Sequence, residues 1–168
     1  MIFYSAPPDF KSKLIVVACH LTCRGQMLLL HRQNDKPHGN TWGVPAGKAE
    51  HEMLVVDIQR ELEEETGIAL PLEEFKHWGG LFVRHLEYDF IYVIFTAEID
   101  EFPVIKLNPK EHKGFTWVIP MEALDMKLIP DEDQCIKLVY KINPVVGSIT
   151  ASVAQIGDKK EGTKDGQK

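Results

Sequence analysis

Apolar residues open the chain in short blocks that suit strands. Residues 14–20 and 27–31 are dense in Leu, Ile, Val and Met, and the turn-prone Thr22-Cys23-Arg24-Gly25 between them predicts a hairpin. Residues 33–40 then gather Asn, Asp, Pro and Gly, the composition of a loop. From about residue 53 to 66 the period changes. Val55, Ile58 and Leu62 fall at i, i+3 and i+7, which places them on one stripe of a helix, and Gly67 supplies its stop. Residues 80–85 and 90–97 predict a second hairpin through Leu86-Glu87-Tyr88-Asp89. Residues 115–119 read as a last strand, and 133–142 as a closing helix with Ile136, Val139 and Tyr140 on its inner face. This order predicts an α/β fold, a mixed β-sheet sandwiched between α-helices.

Composition narrows the class. A chain of 168 residues, 44% hydrophobic, can bury the core of one domain, and no compositional break asks for two. We divide it into an N-terminal extension (1–12), one domain (13–143) and a partly disordered tail (144–168), since no large apolar residue follows Gly157. No apolar run approaches the roughly 18 residues of a membrane span, and the start carries neither a basic leader nor a cleavage site, so a cytoplasmic protein is expected. The three cysteines, Cys19, Cys23 and Cys135, lack the paired spacing of a zinc site and read as buried free thiols. The seven histidines show no ligand-spaced pair. A formal net charge of −6 disfavours a long nucleic acid as ligand; a small anionic substrate fits if a cation neutralises the site.

The chemistry concentrates at Arg60-Glu61-Leu62-Glu63-Glu64-Glu65-Thr66-Gly67-Ile68. Glu61, Glu64 and Glu65 stand at i, i+3 and i+4 and share one helical face. Like charges at that spacing cost about 0.2 to 0.5 kcal/mol per pair, and acids in a last turn oppose the helix dipole. Two readings follow: a solvated acidic face, or a site for a hard divalent cation, which takes carboxylate and phosphate oxygens together. The apolar stripe on the other side of the helix favours the second, because it fixes the acids to a core element rather than a tail.

Glu52, then seven residues, then Arg60 to Ile68 resembles the signature of the Nudix hydrolases, a MutT-like pattern that continues upstream into Pro45-Ala46-Gly47-Lys48. The order of elements from about residue 13 to 143 is similar to that family as well. There are departures. Four residues separate Gly47 from Glu52 where the family has five; His51 stands where a glycine usually precedes that glutamate; and Ala46 replaces a common second glycine. The resemblance implies a Nudix fold and hydrolysis of a nucleoside diphosphate linked to another group (a nucleoside triphosphate, an oxidised nucleotide or a nucleotide sugar) by water under magnesium or manganese. Two like charges about 4 Å apart repel by roughly 4 kcal/mol at an effective dielectric of 20, so an all-acid site holds a diphosphate only through bridging cations.

By the same resemblance Glu61 and Glu65 are the main metal ligands, Glu64 is a further ligand or holds a metal-bound water, the Gly47 carbonyl completes the shell, and Arg60 orients the glutamates. The general base is Glu111 or Glu52, with Glu111 preferred and Glu87 and Asp89 ranked behind. Arg32, Lys48 and Arg84 are the candidate phosphate contacts, and Trp42, Trp78, Phe82 and Tyr88 the aromatic residues able to stack on a base. The partner is a small nucleotide, and homodimers are frequent among such relatives. The alternative is a nucleotide sensor without turnover, which the shortened loop favours.

Overall fold

The computed structural model describes residues 1–142, and the expected tail, 144–168, lies outside them. Eight strands form one mixed sheet: β1 (Ile2–Phe3), β2 (Ser12–Cys23), β3 (Gln26–Arg32), β4 (Trp42–Gly43), β5 (Ala46–Lys48), β6 (Lys76–Arg84), β7 (Asp89–Ile99) and β8 (His112–Val118). The main path runs β1-β6-β7-β2-β3-β4, with β5 paired to β2 and β8 to β3. The long β2 and β7 lie parallel, from Ser12 opposite Asp89 to Cys23 opposite Ile99. The crossover between them carries α1 (Leu54–Thr66), while α2 (Pro120–Ala123) and α3 (Glu132–Val139) follow the sheet.

Both faces of the central strands are covered, which is why they read as unbroken apolar runs rather than alternating ones. Successive side chains point opposite ways. Thus Val17, Cys19 and Leu21 of β2 and Leu28 and Leu30 of β3 join Ile58 and Leu62 of α1. Ala18, Met27 and Leu29 join Cys135 and Ile136 of α3 on the other side. The expected α/β sandwich with a mixed sheet is therefore present. The three cysteines are free and buried. Among the described residues no helix is long and apolar enough to cross a membrane.

The stripe of Ile58 and Leu62, both fully buried, sets the rotation of α1, which exposes Glu63 and Glu64, leaves Glu61 partly buried and buries Glu65 beside them. Gly67 ends the helix in the left-handed conformation (φ 73°), its N–H donating to the Glu63 carbonyl at 2.8 Å. The last carbonyls do not go unpaired: the N–H groups of Lys106 and Asn108 donate to those of Thr66 and Glu65, at 2.8 and 3.1 Å. Those bonds pin the extended stretch before β8 to the acidic end of α1.

Three details depart from the sequence expectation. Residues 2–3, in the expected extension, add β1 to the edge of β6. The stretch from Trp42 to Lys48, to which the sequence pattern assigns no element, forms two short strands. The closing helix stops at Val139 instead of residue 142, because Lys141 takes a left-handed backbone (φ 55°) that a helix cannot continue through.

Candidate active site

The acidic face of α1 is organised around two residues, Glu65 and Arg60. Glu65 is only 7% exposed, so its carboxylate needs partners. The Ala46 N–H donates to one oxygen at 3.1 Å, and Nε2 of His112 lies 2.9 Å from the other. Arg60 spreads over the surface beside it: its guanidinium lies 2.7 Å from Glu61 and 3.1 Å from Glu64, and donates to the Lys48 carbonyl at 3.2 Å. The loop after Gly47 is thereby drawn onto the helix.

Gly47 lies against Glu61. A Cβ at position 47 would sit 1.9 Å from the Glu61 carboxyl carbon and 2.2 Å from both its oxygens, so any side chain here must displace that carboxylate. Partial burial pushes the Glu61 pKa up, the Arg60 guanidinium pulls it down, and Glu65 and Glu64 push it up again, with a net rise. The mutual repulsion shows that Glu61, Glu64 and Glu65 share one electrostatic neighbourhood. Among the described residues no group of three or more His, Cys, Asp and Glu side chains is arranged to hold a metal ion. The donors here are carboxylate oxygens, which fit a hard divalent cation that takes one or two of them and keeps the rest of its shell for water.

The other expected site residues fall into two groups. Glu111 precedes β8 and pairs with Lys36 of the 33–40 loop at 2.6 Å. Arg32 donates to the Pro37 carbonyl at 3.0 Å, bracing the same loop, and Lys48 is exposed beside Gly47. These stand on the loops and strand ends around the acids. Glu52 is exposed just before α1 and has no hydrogen bond or ion pair among the described residues. Arg84 needs a correction too. Its guanidinium donates to both oxygens of Asp89, at 2.9 and 3.1 Å, and meets Asp9 at 3.2 Å, so two acids already neutralise it at the β6–β7 hairpin. That also occupies Asp89. Of the aromatic candidates, Trp42 stacks on His31 at 4.3 Å and Phe82 packs edge-on to Phe10 at 5.2 Å, so both rings are engaged in packing.

The NUDIX domain family matches residues 12–139, well over half of the chain. The chain belongs to the NUDIX family. No curated protein matches it in sequence. Solved structures match in fold. The NUDIX domain of Shewanella oneidensis NrtR complexed with ADP ribose is similar with a TM-score of 0.68 at 22% identity, over 82% of this chain and 93% of that one. A MutT protein from Methanosarcina mazei Go1 gives 0.67 at 24% identity, over 79% and 95%. A bifunctional NMN adenylyltransferase/ADP ribose pyrophosphatase from Francisella tularensis, complexed with AMP and a manganese ion, gives 0.62 at 20% identity, over 80% of this chain and 43% of that one.

On the opposite face of this NUDIX sheet lies a feature that the sequence did not announce. A cavity of about 70 Å³ is lined by Phe90 and Tyr92 of β7 and by Asp131, Glu132 and Cys135 at the start of α3. Glu132 is fully buried; the Tyr92 hydroxyl donates to one of its oxygens at 3.5 Å, and the other oxygen has no partner among the described residues. His20 lies 3.7 Å from that second oxygen, too far to hydrogen-bond, and both its ring nitrogens are likewise unpartnered. Burial pushes the Glu132 pKa up to about 8 and the His20 pKa down to about 3, so both are neutral near pH 7. Burial raises the Tyr92 phenol, and Glu132, Cys135 and Glu65 raise it further, so the field of Glu65 reaches this cavity. Glu132 stands at the start of a helix, where an acid is unremarked in sequence, and its partners are 40 and more residues away.

Two predictions follow from this geometry. Gly47→Ala meets only the flexible end of Glu61, so the melting temperature should stay within a few degrees while the Glu61 carboxylate moves and magnesium-dependent turnover falls by at least tenfold. Unchanged turnover would detach Glu61 from the chemistry. The second concerns pH. A group protonated in the folded state up to about pH 8 but only to 4.5 when unfolded makes stability fall as pH rises between those values; His20, at about 3 folded and 6.5 unfolded, makes it rise between 3 and 6.5. The two effects cancel from about 4.5 to 6.5, and only the Glu132 loss acts from 6.5 to 8, on the order of 1 to 2 kcal/mol. Denaturant melts at pH 6.5 and 8 should show that fall in the wild type and a smaller one in Glu132→Gln.

Proposed function

We propose that this NUDIX protein is a divalent-cation-dependent pyrophosphohydrolase of a small nucleotide, cleaving a nucleoside diphosphate from the group linked to it by attack of water on phosphorus. The observation that carries the reading is the helix face on which Glu61 lies against Gly47 while Glu65 is held from two sides. Its donors are all hard oxygens, and the lack of a side chain at position 47 leaves room beside Glu61 and exposes the backbone there. Glu61, Glu65 and the Gly47 carbonyl would hold the cation, with Glu64 supporting it. When bound, magnesium or manganese supplies charge neutralisation for the diphosphate and an acidified water.

The chain's own residues do the rest. The Ala46 N–H and His112 orient Glu65 so that only part of its oxygen surface faces the site. Arg60 restrains Glu61 and Glu64 and keeps three acids close together without a cation. Glu111, on the segment that delivers His112, is proposed to accept the water's proton, with Lys36 orienting it. Lys36, Lys48 and Arg32, around the mouth, offer positive charge to the phosphates. Three free buried thiols agree with a reducing compartment, and we place the protein in the cytoplasm.

Phosphate release from nucleoside triphosphates, oxidised nucleotides, nucleotide sugars and dinucleoside polyphosphates, with magnesium and with chelator, tests the assignment. One class should turn over, chelator should abolish it, and Glu65→Gln should lower turnover by orders of magnitude with the fold intact. Full activity in that variant would remove Glu65 from the mechanism. The exposed place of Glu52 favours a second reading, nucleotide binding without turnover. Binding of a nucleotide with no release from any substrate class would establish that reading instead.

A further inference from the structure

The shortened loop contains a contact that belongs to this chain's own departure from the NUDIX pattern. His51 reaches the helix, and it uses both oxygens of one carboxylate: its Nδ1 lies 2.7 Å from Oδ1 of Asp57, and its backbone N–H donates to Oδ2 at 3.1 Å. Asp57 is fully buried in the first turns of α1, whereas the His51 side chain is about half exposed. Burial alone would raise the Asp57 pKa; the side-chain and backbone bonds from His51 outweigh it, and the net shift is downward. The same Oδ1 stands 3.7 Å from Nη2 of Arg60, and that nitrogen stands 2.7 Å from Glu61. A continuous path therefore runs from the loop to the acid beside Gly47: His51, Asp57, Arg60, Glu61.

Two further facts give the path a purpose. The N-cap residue of α1, Met53, makes no side-chain cap bond, so the entry to the helix has no local device holding the loop in register. Glu52, the acid expected in this loop, is exposed and has no partner among the described residues. The anchor of the loop has moved to His51, and the acid behind Arg60 comes from the helix at Asp57. Nδ1 must donate for this bond to form with an ionised carboxylate, which leaves Nε2 at the exposed side of the ring.

We propose that His51 is a positioning residue, which through Asp57 holds Arg60 against Glu61 and so sets the carboxylate geometry offered to the divalent cation. The proposal rests on the reading of Glu61 as a cation ligand. It also states which replacement is tolerated. Asparagine carries its amide nitrogen close to where Nδ1 stands and can keep the bond to Asp57; alanine cannot.

The test is manganese binding by the full-length protein, followed through the electron paramagnetic resonance signal of free manganese, a readout that needs no turnover. The wild type should bind, Glu61→Gln should bind weakly, His51→Ala should weaken binding about tenfold, and His51→Asn should stay within about twofold of the wild type. A His51→Ala variant that binds as the wild type does, whatever its melting temperature, would show His51 to be structural only and overturn the proposal. Should His51→Ala fail to fold, weakened binding in Asp57→Asn together with retained binding in His51→Asn supports it, and wild-type affinity in Asp57→Asn overturns it. If Glu61→Gln binds as tightly as the wild type, the reading of Glu61 as a ligand fails, and the proposal falls with it. That result differs from the loss of His51 alone, in which Glu61→Gln is weak and His51→Ala is not.

Discussion

The carboxylate of Glu65 is the point on which the site depends. It is nearly buried, and a carboxylate withdrawn from water is tolerated only with partners in place. Those partners come from separate parts of the chain: the Ala46 N–H at the start of β5 and the His112 ring at the start of β8. The carbonyl of the same residue takes the Asn108 N–H, so the stretch leading into β8 is secured twice to one position of α1. Satisfying Glu65 fixes Ala46, and fixing Ala46 delivers Gly47 against Glu61. At that distance a side chain at 47 would push the Glu61 carboxylate aside, so glycine there keeps the acid in place.

What could be read beforehand was local. The stripe of Val55, Ile58 and Leu62, the acids opposite it and the glycine after it all lie within one helix, and periodicity alone locates them. The unbroken apolar runs of β2 and β3 told of strands covered on both faces. His112 could not be found in this way, because its link to Glu65 spans 47 residues. Arg84 illustrates the opposite failure: a lone cation in a sequence looks available, and only the fold brings Asp9 and Asp89 around it. Glu52 stands exposed before α1, and its neighbour His51 meets the helix at Asp57, a contact that no spacing in the sequence marks.

The sheet separates two solutions to the same electrostatic problem. Glu61 and Glu132 both have raised pKa values, and in both the largest cause is burial. Around Glu61 the guanidinium of Arg60 works against that rise while neighbouring acids reinforce it, a balance that an added cation would tip toward the ionised form. Around Glu132 the described side chains that come near are a phenol at 3.5 Å and an imidazole at 3.7 Å, and burial holds the carboxyl's pKa up to about 8. One face therefore gathers ionisable acids around a single guanidinium, and the other holds a carboxyl that burial keeps protonated near pH 7, which donates rather than attracts charge.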